Sequence, residues 1–232
     1  MARKKGLSVD IAFEKIRRKI EHYELSPMDV ISEIEIAKEL NMSRTPVREA
    51  IYKLFEYGLV MRNGTKIVIK PITMKDVIEI LQVREAVELM AANIIINNGG
   101  LSTKQKQTFN AIQKTLQISI AAQNHEAKFK TDALFHRELV SFSGNMRLLD
   151  IIEKLQVQGE RLRWLTILTP RRHEETYKEH ENIVLAIEAL DLPRTEDVIR
   201  SHINKTKLNY EQILQNNEWN NILKTLKHLL HI

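Results

Sequence analysis

The sequence contains no cysteine among its 232 residues. This absence excludes disulfides and thiolate metal sites, and it is typical of a protein that works in a reducing interior. Long apolar runs are also missing, since none approaches the roughly 18 residues that a membrane-spanning helix needs. The basic start, MARKKG, is not followed by the apolar core of a signal peptide. These absences predict a cytoplasmic protein with no membrane partner.

Glycine and proline are scarce, with seven and five residues, and strand-like alternation is almost absent after residue 71. The chain is therefore expected to be mainly α-helical. Its net charge is +5, and the excess lies near the start: residues 1–71 hold 14 Lys and Arg against 10 Asp and Glu. A basic N-terminal module favours a polyanionic partner, although a solvated surface with extra lysine is the plainer alternative.

The segment SRTPVREAIYKL, residues 43–54, predicts a short helix that begins with a proline in its first turn. A proline does little harm there, because the first N–H groups of a helix have no partner within it. Ser43 suits the N-cap, so the helix is expected to begin at Arg44. Its buried face is predicted from the helical spacing of four apolar residues: Val47, Ala50, Ile51 and Leu54.

The elements around this helix predict a winged helix-turn-helix over residues 1–71. An amphipathic helix covers 9–23, and a capping box of Ser32 and Glu35 starts a second helix that ends near Leu40. After the helix that begins at Arg44, Asn63-Gly64 separates two apolar runs, which is a strong hairpin signal. The strands of this hairpin would form the wing.

Residues 72–232 predict an all-helical, antiparallel bundle of six to seven helices that begins after Pro71. The helical periods cover roughly 73–97, 102–122, 125–142, 145–168, 172–190 and 195–215. The tail, 216–232, has the pattern of one more amphipathic helix. Whether that helix seals a dimer or caps the bundle is left open.

In a helix-turn-helix, the N-terminal end of the second helix reads bases in the major groove. Arg44 and Arg48 suit this role because a guanidinium can grip guanine or bridge phosphates. The hydroxyls of Ser43 and Thr45 suit phosphate oxygens. Double-stranded DNA is therefore the expected partner. The alternative is a solvated stripe in which the two arginines pair with Glu49 or Glu56.

Four residues of the second module could hold a metal ion. Asp132 and His136, in TDALFHREL, are four apart on one predicted helical face, and His180 and His202 lie in later helices. An aspartate with three imidazoles suits Zn, Ni, Mn or Fe. From the residues alone, ordinary hydrogen-bonded histidines are an open alternative, because the chain has eight histidines in all.

The segment SEIEIAKELNMSRTPVREAIYKLFEYGLV resembles the DNA-binding domain of the GntR family of bacterial transcription regulators, over about residues 10–70. The resemblance implies that Arg44, Thr45 and Arg48 are the main DNA contacts, with Gly64 at the wing tip. The family often has a Pro-Gly turn before the second helix, where this chain has Pro27-Met28. The shape of that turn is left open.

Residues 74–213 resemble the FCD ligand-binding domain of the FadR subfamily of that family. The resemblance is carried by LQVREAVELMAA, DALFHREL, SGNMRLL, EHENIVLAI and DVIRSHI. It implies that Asp132, His136, His180 and His202 bind a divalent metal and that the effector is a small organic or sugar acid.

The resemblance also implies that Arg84 meets the carboxylate of the effector, whereas a plain pairing of Arg84 with Glu88 is the alternative. Asn145 matches a recurrent asparagine, and a helix cap is its expected role. Arg161 and Arg163 are expected to face either the pocket or the surface.

The leading expectation is a homodimeric, ligand-responsive regulator that binds palindromic operator DNA, since a two-fold protein reads two-fold DNA. A regulator in which the metal itself is the signal is the first alternative. A metal-dependent enzyme is the second, although no general base, Gly-rich loop or nucleophile motif stands beside the proposed ligands. The sequence does not decide between repression and activation.

Overall fold

The computed structural model describes residues 2–215 and 219–230. The chain divides into two compact units, Met1–Thr73 with Glu218–Ile232, and Met74–Asn217. Across the described residues the chain is mainly α-helical, as predicted, with ten α-helices and one two-stranded sheet. No helix in these ranges is both long and apolar enough to cross a membrane.

The first unit is a winged helix-turn-helix. Its first three helices are α1 (Ala2–Glu21), α2 (Glu33–Glu39) and α3 (Arg44–Glu56). Helix α3 packs on α1 and α2 and buries the four apolar residues that its spacing predicted: Val47, Ala50, Ile51 and Leu54. The prediction of a first helix over 9–23 was wrong at its start, because α1 begins at Ala2.

Strands β1 (Val60–Asn63) and β2 (Lys66–Ile69) form an antiparallel hairpin. Asn63 pairs with Lys66, so Gly64 and Thr65 form the two-residue turn. Gly64 has a φ of +60°, the left-handed conformation that the first central position of a type II′ turn requires. The predicted hairpin is present. Its turn residues, Gly64 and Thr65, come one residue later than the Asn63-Gly64 pair that predicted it.

The loop before α2 joins the sheet through Ile31, whose N–H donates to the carbonyl of Ile67 at 2.8 Å. In the same loop Met28 has a φ of +72° and donates its N–H to the carbonyl of Ile69 at 3.0 Å. Met28 therefore adopts the conformation that glycine accepts most easily. Where the family often has glycine, this chain has a methionine in the left-handed conformation.

Helix α10 (Trp219–Leu230) is strongly amphipathic in sequence, and its Ile222 and Leu226 are buried. It groups with the first unit. The domain boundaries expected from the sequence placed the whole of 72–232 in the second domain, so the grouping of α10 differs from that expectation. Apolar side chains at helical spacing do not specify which neighbour they pack against.

The second unit is a bundle of six helices. They are α4 (Met74–Asn97), α5 (Thr103–Ala121), α6 (His125–Ser141), α7 (Met146–Leu165), α8 (Arg171–Glu188) and α9 (Leu192–Gln215). Helix α4 packs on α6, α7, α8 and α9, and α5 packs on α6 and α8. Asn145 caps α7 by accepting the N–H groups of Arg147 and Leu148, which confirms its expected role as a cap.

Candidate functional site

The N-terminal end of α3 presents polar side chains to solvent. Ser43 occupies the N-cap position without making a side-chain capping bond, and Ser43 and Thr45 are exposed. The side chains of Arg44 and Arg48 are 57% and 50% exposed. Pro46 lies between them and is buried. The basic residues that the sequence assigned to DNA therefore lie on the solvent side of the helix.

Both arginines lie close to one carboxylate, that of Glu33 at the start of α2. Arg48 Nε donates to Glu33 Oε1 and Oε2 at 3.2 and 3.0 Å, and Arg44 Nη2 lies 3.7 Å from Oε2. The pairing with Glu49 or Glu56 considered above is therefore replaced by a contact between two helices. These contacts hold the guanidinium of Arg48 beside the first residue of α2.

The tip of the wing is exposed at Gly64, and the space where a Cβ would stand is empty to a distance of 4 Å. Arg62 on β1 and Lys66 on β2 are also exposed. The tip can therefore approach a nucleic-acid backbone closely with two cations beside it.

Three of the predicted metal ligands converge within the second unit. His136 on α6, His180 on α8 and His202 on α9 each offer a ring nitrogen, and these atoms lie within 4.8 Å of one another. The three residues are 0–2% exposed. Asp132 adds a carboxylate on the same face of α6 as His136, with Oδ1 3.9 Å from His136 Nε2 and 3.7 Å from His180 Nε2.

Two buried carboxylates fix the orientation of two of these imidazoles. His136 Nδ1 lies 3.0 Å from Glu88 Oε1, and His202 Nδ1 lies 2.7 Å from Glu179 Oε2. A carboxylate accepts a hydrogen bond from the N–H, so Nε2 of each ring keeps its lone pair. Such a carboxylate behind an imidazole is the usual second layer of a protein metal site.

His180 provides a separate test of whether the residues fit a metal. Both of its ring nitrogens are buried and have no hydrogen-bond partner among the described residues. Its ring stacks on Phe135 at a centroid distance of 3.9 Å. An unsatisfied buried polar group costs free energy, and coordination of a cation by one nitrogen would remove part of that cost. The donor set of one carboxylate and three imidazoles fits a divalent transition metal.

Arg84 on α4 reaches the same cluster. Its Nε donates to Glu88 Oε1 at 2.7 Å, and its Nη2 lies 3.0 Å from His202 Nε2 and also contacts the ring of His136. The plain pairing of Arg84 with Glu88 is thus present, together with contacts to two imidazoles. The guanidinium contributes a positive charge next to the nitrogen atoms that would bind a metal.

The charges of the cluster are set by burial and by close neighbours. Burial and the charge of Arg84 lower the pKa of His136 to about 4, and burial lowers the pKa of His180 well below its ordinary value. Burial alone would raise the pKa of Glu88, but Arg84 and His136 outweigh it and lower the pKa to about 2. Neutral imidazoles beside ionised carboxylates are the protonation states that a metal requires.

In Asp132, as in Glu88, burial and the neighbouring charges shift the pKa in opposite directions. Burial favours its neutral form, whereas His136 and Arg163 lower the pKa of Asp132 well below its usual range. Arg163 Nε donates to Asp132 Oδ2 at 3.1 Å, which leaves Oδ1 turned toward the imidazoles. Of the two arginines that were expected to face either the pocket or the surface, Arg163 lines the cavity next to the cluster, and Arg161 is buried.

A cavity of about 90 Å³ opens beside these residues. A single water needs about 10–15 Å³, so the cavity has room for a group larger than one water. Arg84, Asp132, His136 and His202 line it, and so do apolar side chains such as Phe129. The cavity therefore suits a small organic molecule with one polar end.

Sequence reasoning missed four residues that define this site: Glu88, Glu179, Lys128 and His173. Glu88 was considered only as a partner of Arg84, and His173 only as one of the remaining histidines. A signal for Lys128 existed, because it precedes Asp132 by four residues and therefore shares its helical face. Nothing in the spacing indicates that Glu179 on α8 meets His202 on α9.

Comparison with protein families identifies the two units. Residues 9–66 match the bacterial regulatory proteins of the gntR family, and residues 79–205 match the FCD domain. The chain belongs to the GntR family and carries an FCD domain, which confirms the resemblance seen in its sequence. It is a transcription regulator. The families and the relatives are regulators and not enzymes, as expected.

Relatives of known name support this assignment. The chain is 27% identical over 208 residues to the HTH-type transcriptional repressor RspR of Escherichia coli, covering 88% of this chain and 90% of that protein. It is 26% identical over 181 residues to the probable D-xylose utilization operon transcriptional repressor of Paenarthrobacter nicotinovorans, covering 75% of each.

Solved structures have the same fold. McbR/YncC of Escherichia coli has a TM-score of 0.73 at 20% identity, covering 88% of this chain and 98% of that one. A GntR transcriptional regulator from Rhodococcus, described as putative, also has a TM-score of 0.73 at 20% identity, covering 92% and 100%.

Proposed function

We propose that the protein is a repressor that binds palindromic operator DNA as a homodimer and responds to a small organic or sugar acid. The exposed N-terminal end of α3 supports the DNA-binding role, with Arg44 and Arg48 as base or phosphate contacts. Ser43 and Thr45 would contact phosphates, and Gly64 would bring the wing close to the backbone. The relatives named above as repressors support repression rather than activation.

The observation that carries the ligand-responsive role is that Arg84 and three of the four candidate metal ligands line a single cavity. Asp132, His136, His180 and His202 would hold a divalent ion such as Zn, Ni or Mn. Such an ion supplies a Lewis-acidic site for a carboxylate or hydroxyl oxygen.

Around such an ion, the side chains of the chain would orient the acid. Arg84 would donate hydrogen bonds to the carboxylate of the effector, and Phe129 would cover its carbon chain. The cavity volume restricts the effector to a small molecule.

A regulator that senses only the metal is the second candidate, and the His cluster favours it. The cavity argues for an organic ligand instead, because it extends past the cluster to Phe129 and Lys128 on α6 and to Thr166. A bare ion would need none of this space. The two candidates differ in one result: DNA affinity follows free metal alone in a metal sensor, and changes further with an acid in an acid sensor.

The homodimer is supported by an apolar, exposed stripe on the second unit. Val83 and Met90 lie seven residues apart on one face of α4 and are 44% and 52% exposed. A shallow groove beside Met90 is lined by residues of α4 and α9. We infer that Val83 and Met90, on one face of α4, take part in the contact between the two subunits. Sedimentation of the parent and of Met90→Glu tests this, with a monomeric variant as the expected result.

The function is tested with DNA selected by the protein from a random duplex pool. We expect Arg48→Ala to lose affinity for the selected duplex, and the acid that binds the cavity to lower the affinity of the parent for it. An Arg48→Ala variant that binds as tightly as the parent would remove the DNA-contact role. Unchanged DNA affinity in the presence of every acid that binds would remove the ligand-responsive role.

A further inference from the structure

Four cationic side chains line the cavity, and three of them are arginines that already hold a carboxylate. Arg84 pairs with Glu88, Arg163 with Asp132, and Arg172 with Glu179. The fourth is Lys128 on α6. Among the ion pairs of the described residues, no carboxylate lies within 4 Å of its ammonium group. Lys128 is thus the cavity cation without a carboxylate in direct contact, and the charge of Asp132 acts on it only from beyond that distance.

The surroundings of Lys128 are buried and offer it only neutral partners. The residue is 5% exposed. Its Nζ lies 2.8 Å from His173 Nδ1 and 2.6 Å from His173 Nε2, and 4.3 Å from the ring centre of Phe129. The Oγ1 of Thr166 lies 3.3 Å from His173 Nε2. Lys128, Phe129, Thr166 and His173 all line the same cavity as the metal ligands.

A buried cation without a counter-ion is costly, so a merely structural role explains Lys128 poorly. Burial lowers the pKa of Lys128 to about 7, and burial together with Lys128 lowers the pKa of His173 to about 4. The ammonium group is therefore held in a place that disfavours its charge. An anion that entered the cavity next to it would supply the missing partner.

The geometry of α6 relates this cation to the candidate metal ligands. Lys128, Asp132 and His136 follow one another at intervals of four residues, so they form one row along the helix. Neighbours in such a row are about 5–6 Å apart at their Cβ atoms. With C–C bonds of about 1.5 Å, a diacid with two to four carbons between its carboxyl groups spans a comparable distance.

We propose that Lys128 and His173 form a second acid-binding subsite, and that the effector is a small dicarboxylic acid. One carboxylate binds at the metal ligands and Arg84, and the other binds Lys128 about one helical turn away. This inference rests on the proposed acid-responsive function and adds to it the requirement for a second acidic group.

The test compares diacids with monoacids of the same chain length. Calorimetry measures the binding of succinate, glutarate and adipate, and of butyrate, pentanoate and hexanoate, to metal-loaded parent protein. The same titrations use Lys128→Met, which removes the charge but keeps the chain length. The control is Lys130→Met on the same helix, where the lysine is 68% exposed and pairs with Glu126. Circular dichroism checks that each variant is folded.

We expect the best diacid to bind the parent and Lys130→Met roughly 10-fold to 100-fold more tightly than its matched monoacid. In Lys128→Met this preference should disappear, with the affinity for the monoacid unchanged. If the parent binds monoacids and diacids equally, the second subsite is wrong and the acid-responsive function stands. If the parent binds none of the six acids, the proposed class of effector is wrong as well.

Discussion

Glu33 and Arg48 form an ion pair between the two helices of the helix-turn-helix, with both carboxylate oxygens within 3.2 Å of Arg48 Nε. The pair places a negative charge on the surface that is expected to face DNA. Glu33 is partly shielded, with 23% of its side chain exposed, whereas half of the Arg48 side chain is exposed. The arginine that is proposed to contact DNA is therefore paired with a carboxylate in the free protein.

The first prediction concerns this pair. Arg48→Ala should weaken binding to the selected duplex by about 1–3 kcal/mol. Glu33→Gln should strengthen binding roughly threefold to tenfold at low ionic strength, because it removes a repulsive charge and frees Arg48, and salt should reduce the gain. Fluorescence anisotropy at two salt concentrations measures both effects. Weaker binding by Glu33→Gln would show instead that Glu33 positions Arg48 for DNA.

The second prediction concerns the carboxylate behind His202. Glu179→Gln should lower the affinity for metal roughly 10-fold to 100-fold, because an amide holds the imidazole less strongly than a carboxylate does. Competition with a metal-binding dye measures this affinity. Glu175→Gln is the control, since Glu175 is on the same helix and only makes long, half-exposed ion pairs with Arg171 and Arg172. Equal affinities in the parent and Glu179→Gln would contradict a metal at His202.

The third prediction uses the pH dependence of stability. The pKa of Lys128 falls from its ordinary value of 10.5 to about 7 on folding, so between these values the unfolded chain binds more protons. The contribution of Lys128 to the free energy of unfolding therefore rises with pH between about 7 and 10.5. Lys128→Met should be more stable than the parent by about 1–3 kcal/mol at or below pH 7, and the difference should shrink toward pH 10.

Urea unfolding of metal-free protein at several pH values measures this difference. Lys130→Met should follow the parent at each pH, because its lysine is exposed. A stability difference that stays constant from pH 7 to pH 10 would contradict the assignment of Lys128 as a buried, unpaired cation.

The fourth prediction concerns backbone strain at Met28, whose φ is +72°. Met28→Gly should stabilise the first unit by about 0.5–1 kcal/mol, because glycine adopts this conformation without the steric cost that a side chain brings. Thermal unfolding measures the change. Val30→Gly serves as the control: Val30 forms a bridge with Val68 in extended conformation, so glycine should destabilise the protein there.

The sequence predicts the local parts of this structure well. Proline at the start of α3, the apolar spacing of its buried face and the hairpin signal at Gly64 are all short-range features, and each appears in the structure. The packing of α10 was not predictable, because Ile222 and Leu226 specify a buried face without specifying its neighbour.

The candidate site also has a part that local spacing predicts and a part that depends on long-range packing. Asp132 and His136 are one helical turn apart, so their shared face follows from spacing alone. That His180 and His202 come close to them is a long-range result of packing α8 and α9 on the bundle, and only the family resemblance indicated it in advance. The pairing of His202 with Glu179 depends on the same packing, and no sequence pattern contains it.

The metal content of protein purified without a chelator, measured by elemental analysis, decides whether the four candidate ligands bind an ion. We expect close to one transition-metal ion per chain in the parent and in His228→Ala, whose histidine is exposed on α10. We expect loss of the metal in His180→Ala, because this substitution removes a candidate ligand. If the parent stays empty after Zn, Ni and Mn are added, or if His180→Ala retains the metal, the proposed metal site is wrong.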